Sequence, residues 1–129
     1  MTSYEVTLTS MGLKVLKNAN AKGVLASPVD VPSQTTLGNA FPNAANPETW
    51  IPFQLSESGE VKIQIYNASG QLVKSLHLGY KDAGYYLNKE KAAFWDGKND
   101  RGERVASGIY FYTMRTRNFT AAGKVVVLK

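Results

Sequence analysis

The densest group of oxygen-bearing side chains is Asp96, Asn99, Asp100 and Glu103, and closely spaced carboxylates and amides are what a calcium ion needs. The Gly and bidentate Glu that an EF-hand loop requires do not fall at the required positions, and turn chemistry accounts for the same residues. The only histidine is His77, in a strand-like run, and there is no cysteine. Neither a Gly-Xaa-Ser-Xaa-Gly nor a His-Glu-Xaa-Xaa-His arrangement occurs, so no nucleophilic or zinc-hydrolase centre is written in the chain. No metal, cofactor or catalytic residue is therefore expected, and the chain reads as non-enzymatic. Trp50, Tyr80, Tyr85 and Tyr86 would stack on a sugar if they clustered on one exposed face. Tyr110 and Tyr112, on alternate positions, read as core packing rather than a base-stacking platform.

The elements that must position these residues read as strands. Val61, Ile63 and Ile65 alternate with Lys62, Gln64 and Tyr66, the clearest period of two in the chain. Ile51, Phe53 and Leu55 form a second alternating strand, with Pro52 arguing for a sheet edge. The run 67–70 predicts a tight turn. Leu72, Val73, Leu76 and Leu78 do not alternate cleanly, which predicts a bulge or burial on both faces. A loop over 79–91 leads to a short strand burying Phe94 or Trp95. Two turns follow, and Ser107-Gly108 opens a strand over 109–117 with Ile109, Phe111 and Thr113 on one face. Residues 119–129 return as the final strand, whose Val125, Val126, Val127 and Leu128 are apolar enough for cover on both sides.

Length and composition agree. The 129 residues suit one core, and 11 glycines and 5 prolines favour turns over helices. The expected fold is an all-β, immunoglobulin-like (fibronectin III-like) sandwich of about seven strands with an extra N-terminal strand. The chain divides into a strand segment over 1–17, where Tyr4, Val6 and Leu8 alternate, a linker over 18–36, and the main domain over 37–129. The net charge of +5 is dispersed rather than gathered into an arginine-rich run, which argues against nucleic acid and leaves an acidic surface glycan open. No apolar run is long enough for a membrane span or a signal-peptide core, so an exported protein would contain this chain as a piece of something longer.

Phe41-Pro42-Asn43, Asn46-Pro47-Glu48-Thr49-Trp50-Ile51-Pro52-Phe53, the run 61–73, Trp95-Asp96-Gly97, Gly102 and Ser107-Gly108-Ile109-Tyr110-Phe111-Tyr112 together carry a resemblance. Their order and spacing resemble type A C-terminal sorting domains of the type IX secretion pathway, which are similar in turn to the immunoglobulin-like domain of flagellar hook-capping proteins. The resemblance covers residues 37–129 and implies a domain recognised by outer-membrane secretion or attachment machinery, on proteins found outside the cell or on its surface. It makes Pro42, Asn43, Asn46, Pro47, Trp95, Asp96, Gly97, Gly102 and Gly108 structural motif residues. One departure stands out: the family pattern reads Pro-Asn-Pro-Phe-Asn-Pro, whereas this chain has Pro42-Asn43-Ala44-Ala45-Asn46-Pro47. A buried Phe changed to Ala costs about 3–5 kcal/mol, so either that site is exposed here or another group fills it.

Two segments are expected to meet a protein partner. Lys124, Val125, Val126, Val127, Leu128 and Lys129 form an apolar last strand whose backbone could pair with a partner's sheet edge, although the same side chains equally suit the domain's own core. Alternatively Tyr4, Val6 and Leu8 leave their own domain and complete the sheet of a neighbouring copy, the linker reaching up to about 60 Å when extended. Repetition of that exchange would make a filament.

Overall fold

The computed structural model describes residues 30–129, so the strand segment with Tyr4, Val6 and Leu8, and the linker up to residue 29, lie outside the described residues. Nine strands form among the described residues: β1 (Thr36–Leu37), β2 (Thr49–Ile51), β3 (Phe53–Leu55), β4 (Gly59–Asn67), β5 (Leu72–Lys81), β6 (Gly84–Tyr86), β7 (Ala93–Trp95), β8 (Gly108–Thr116) and β9 (Phe119–Val127). One sheet has the order β9-β8-β4-β5; two smaller sheets, β1-β3-β6 and β2-β7, supply the other layer of an immunoglobulin-like sandwich. All strand pairs are antiparallel.

Period-two patterning places the core. Val61, Ile63 and Ile65 of β4 are fully buried, as are Tyr112 and Met114 of β8 and Val125 and Val127 of β9. Facing them are Ile51, Phe53, Leu55 and Trp95. The expected single strand through Ile51, Phe53 and Leu55 is two strands, because Pro52 has no N–H to give a ladder. Its carbonyl accepts from Gly38 N at 2.8 Å while β2 pairs with β7 and β3 pairs with β1 and β6. This break, the two-residue β1, and β6 inside the expected loop 79–91 raise the count above seven.

β5 bulges as its irregular pattern predicts. The register with β4 runs Val61↔Gly79 to Lys62↔His77 and Ile65↔Lys74 to Tyr66↔Leu72, passing over Leu78 and Val73. Burial on both faces is not found: β5 is an edge strand whose Val73, Leu76 and Leu78 lean partly buried against the core. β9 likewise is covered on one side only. Val125 and Val127 are buried, whereas Val126 is intermediate and Leu128 is 50% exposed.

Tyr112 ties the layers together. Its ring lies over Gly123, where a Cβ would clash with the ring carbons and hydroxyl. The hydroxyl donates to Gly38 O at 2.9 Å and accepts from Ala40 N at 2.9 Å, which pins the chain between β1 and β2. Trp95, wholly buried, meets Tyr110 edge-on at 5.6 Å and donates its indole N–H to Lys98 O at 2.9 Å. The Tyr110 hydroxyl donates to Ala106 O at 2.7 Å.

Three predictions follow from this packing. Tyr112→Phe leaves the buried Ala40 N–H without an acceptor and lowers the unfolding free energy by about 1–3 kcal/mol in urea titrations. Gly123→Ala costs more than Tyr112→Phe in the same titration, because the Tyr112 ring must leave its pocket. Burial raises the pKa of Tyr86, Tyr110 and Tyr112, helped at Tyr86 by the nearby Asp82 charge. The unfolded chain then loses these phenolic protons first, so stability is intact below about pH 10 and falls as pH rises through the folded-state values. Melting temperatures recorded from pH 8 upward should show that decline, shallower in Tyr112→Phe.

Candidate interaction surface

The two stretches that the sequence singles out, Pro42 to Pro47 and the last strand, are joined. Phe41 and Trp50 exchange backbone hydrogen bonds of 2.8 Å in both directions, so the chain between them closes as a loop. The Thr49 hydroxyl donates to Pro42 O at 2.9 Å inside that loop. Pro47 packs on Gly97, which has φ 78° and no room for a side chain, since a Cβ would lie 2.6 Å from Pro47 Cβ. The loop then runs beside β9. Asn43 Oδ1 accepts from Val126 N at 2.9 Å and Asn43 Nδ2 donates to Lys124 O at 3.3 Å. Ala45 N donates to Val126 O and Leu128 N donates to Ala45 O, both at 2.8 Å.

This clasp corrects the expectation of open backbone at the last strand. In an antiparallel edge strand every second residue turns its N–H and C=O outward. Over residues 124–128 those groups are occupied by Asn43 and Ala45, except the Lys124 N–H and the Leu128 carbonyl. Lys124, Leu128 and Lys129 remain exposed as side chains, and Lys129 N donates to Ser107 Oγ at 3.0 Å. Ala45 is 0% exposed, so at the position where the family pattern has Phe the exposed alternative is excluded.

The opposite edge of the same sheet is closed by a second turn. Asp100 N donates to Val73 O at 3.0 Å, and Asp100 Oδ1 accepts from Ser75 N at 3.2 Å with Lys74 Nζ 4.0 Å away. The turn is built by Asn99, whose Oδ1 accepts from Arg101 N and Glu103 N, and by Gly102 at φ 81°. Hydrogen bonds from Asn99 and then Arg101, with the Arg101 charge, hold the Glu103 carboxyl below its ordinary range. Asp96 Oδ1 accepts from Lys98 N at 3.0 Å. Each residue of the supposed calcium cluster thus has one side-chain oxygen engaged in a turn or edge contact, and no group of three metal-binding side chains occurs among the described residues. Gly108 opens β8 opposite Val127.

The four aromatic residues weighed for sugar stacking are not one platform. Tyr80 is on β5 of the four-stranded sheet, Trp50 and Tyr85 are on the two separate smaller sheets, and Tyr86 is stacked on Phe53 at 4.8 Å. Trp50 sits between Phe41 and Phe94 in cross-strand register, with ring centroids 6.4 and 5.2 Å away and Lys89 Nζ 4.4 Å above it. His77 is exposed on β5, as its place in the strand predicts. Sequence reasoning missed the edge-closing roles of Asn43 and Asp100. The only signal for them is an amide or carboxylate in a turn, which is common to most turns.

Asn43→Ala removes both side-chain bonds to β9 and lowers stability by about 1 kcal/mol. Amide exchange should quicken at Val126, whose N–H it frees, and much less at Val125, whose N–H belongs to the β8 ladder. Equal protection in the variant would show that Asn43 does not close the edge.

The family model described as the FlgD Ig-like domain matches residues 39–118, which takes in the clasp loop, β2 to β8 and both edge-closing turns. No curated protein matches the chain. Among solved structures, the crystal structure of dimeric latent PorU from Porphyromonas gingivalis is similar, with a TM-score of 0.52 and 19% identity over 78% of this chain. The matched part is 10% of that protein's chain, so the likeness speaks for the fold alone. With the family match spanning most of the described sandwich, the chain belongs to the family of FlgD Ig-like domains.

Proposed function

We propose that the chain is a non-catalytic sorting and cell-surface attachment module of an exported bacterial protein, read by outer-membrane secretion machinery of the type IX kind. The observation that carries this reading is the clasp. The Pro42 to Pro47 motif, which the resemblance marks, and the last strand, which its apolar pattern marks, make one hydrogen-bonded unit at the sandwich edge. The unit presents Lys124, Leu128 and Lys129 on a rigid support, and a receptor that docks on it reads both segments together. Similarity to part of PorU, itself a large protein of which this domain corresponds to a tenth, suits a module that travels with other domains.

A second reading, self-assembly through the N-terminal strand, is favoured by the part of the β9 edge that the clasp leaves open. Thr120 and Ala122 lie opposite Arg115 and Thr113 and have no outward backbone partner among the described residues. A strand from a neighbouring copy would find its hydrogen bonds there.

The test fuses the full chain to the C-terminus of a periplasmic reporter in a bacterium with type IX machinery and in its translocon-deficient derivative. Export to the surface or medium only in the first strain is expected, with loss on Asn43→Ala combined with removal of Leu128 and Lys129. A folded reporter that stays periplasmic in both strains overturns the proposal. Light scattering on the chain with and without residues 1–17 separates the second reading, which requires polymers that disappear on truncation.

A further inference from the structure

The outer face of the four-stranded sheet carries an arrangement that neither the fold nor the clasp uses. Arg115 of β8 lies directly opposite Lys62 of β4, which lies directly opposite His77 of β5, so three basic side chains form one row across three strands. All three point outward: Val61, Ile63, Met114 and Thr116, which flank Lys62 and Arg115, are buried, and Leu76 and Leu78, which flank the exposed His77, pack against the core. Like charges directly opposite each other destabilise a sheet. Among the described residues neither Lys62 nor Arg115 has an acidic partner that would relieve this, the ion pairs being Lys74 with Asp100, Arg101 with Glu103 and Arg117 with Glu57. The row floors a shallow depression of about 350 Å³ whose rim includes Arg117 and, as its one acid, Glu60.

The neighbouring rows change character in order. Beside the basic row stand Thr113, Gln64 and Ser75, small polar groups able to bond hydroxyls. Beyond them are Phe111, Tyr66 and Leu72, with Phe111 42% and Leu72 49% exposed. Cation, hydroxyl partner and aromatic face thus follow one another along the strands.

We propose that this face binds an acidic polysaccharide, its carboxylates or sulfates on Arg115, Lys62 and His77, its hydroxyls on Gln64, Thr113 and Ser75, and a ring against Phe111. The basic groups repeat at the inter-strand spacing of about 4.8 Å. That suits a chain with one charge per sugar ring lying across the strands. An extended acidic peptide matches less well, since its side chains alternate and those on one face are about 6.8 Å apart, out of step with the strand spacing. The bound anions would relieve the opposed charges, which accounts for a row that otherwise only weakens the sheet. The proposal is independent of sorting, because the purified chain is tested without any secretion step.

The experiment is titration calorimetry of the full chain with polygalacturonate, with dextran of similar length as the uncharged probe and oligothymidylate as a different polyanion. Polygalacturonate should bind, more weakly as salt rises, and dextran should not. The double variant Lys62→Gln with Arg115→Gln should lose about tenfold or more in affinity, whereas Lys89→Gln with Lys91→Gln, the same charge change elsewhere, stays within about twofold. Phe111→Ala, which leaves the charge unchanged, should also lose affinity, and circular dichroism with melting curves shows that each variant is folded. Without ligand, Arg115→Gln should melt slightly higher than the parent, its opposed charge gone. Absence of polygalacturonate binding, equal loss in the two double variants, full affinity in Phe111→Ala, or equally tight oligothymidylate binding each overturns the proposal.

Discussion

The hydrogen bonds between the 43–45 segment and the outer edge of β9 are the constraint on which much of this structure turns. An unclosed sandwich has edge strands whose unpaired backbone groups invite any other strand to add. Here Ala45 approaches β9 closely enough to exchange backbone bonds on both sides of Val127, which needs the loop to be held from behind. Pro47 against Gly97 and the Thr49 hydroxyl on Pro42 O supply that support. Trp95, two residues before Gly97, anchors the supporting strand in the core. A motif that looks like scattered turn residues is therefore one mechanical assembly, with Gly97 fixed by contact and conformation together.

The other edge is managed by different means. β5 carries two bulges, which twist an edge and interrupt its ladder, and Asp100 covers the stretch between Val73 and Ser75 with one backbone and one carboxylate bond. Both closures use a turn residue arriving from elsewhere in the chain, Asn43 from far upstream of β9 and Asp100 from beyond β5. Neither contact is local, so the strands they protect must already be in place before the closures can form.

This explains how much was legible in the sequence. β4 and β8 are readable because each buries one face, and the period of two records that directly in Val61, Ile63 and Ile65 and in Tyr110, Tyr112 and Met114. The β5 bulges are visible as broken alternation. Less legible are elements whose existence depends on a partner: β1 is two residues long, and β6 interrupts a stretch that reads as loop. Pro52 carries its warning in the sequence, but alternation across it continues unbroken in burial, so only the change of pairing partner reveals two strands. For the last strand, four consecutive apolar residues suggested cover on both sides, while geometry buries only Val125 and Val127. The clasp was legible as a motif but not as an edge closure, since a hydrogen bond from Asn43 to a strand more than eighty residues away leaves no periodic trace.

Covering parts of both edges shifts much of the burden of recognition onto exposed side chains and sheet faces. The two surfaces that remain meet at Phe111, which lies directly opposite Lys124, and part along β8, where Ile109 pairs with Val126 at the clasp end and Arg115 lies six residues further on in the basic row. At about 3.4 Å per residue, that places Ile109 and Arg115 roughly 20 Å apart on a rigid strand. A partner of modest size docked on the clasp and the terminal side chains leaves the basic row open to solvent. The sheet also gives no hinge through which occupation of one could disturb the other, since β4 and β8 run unbroken beneath the face between them. Attachment through the clasp and contact of the basic row with an acidic surface polymer are thus physically compatible in a single copy, and substitutions in the clasp loop and at Lys62 or Arg115 should combine additively, whereas Phe111 and Lys124, in direct register, are close enough to couple.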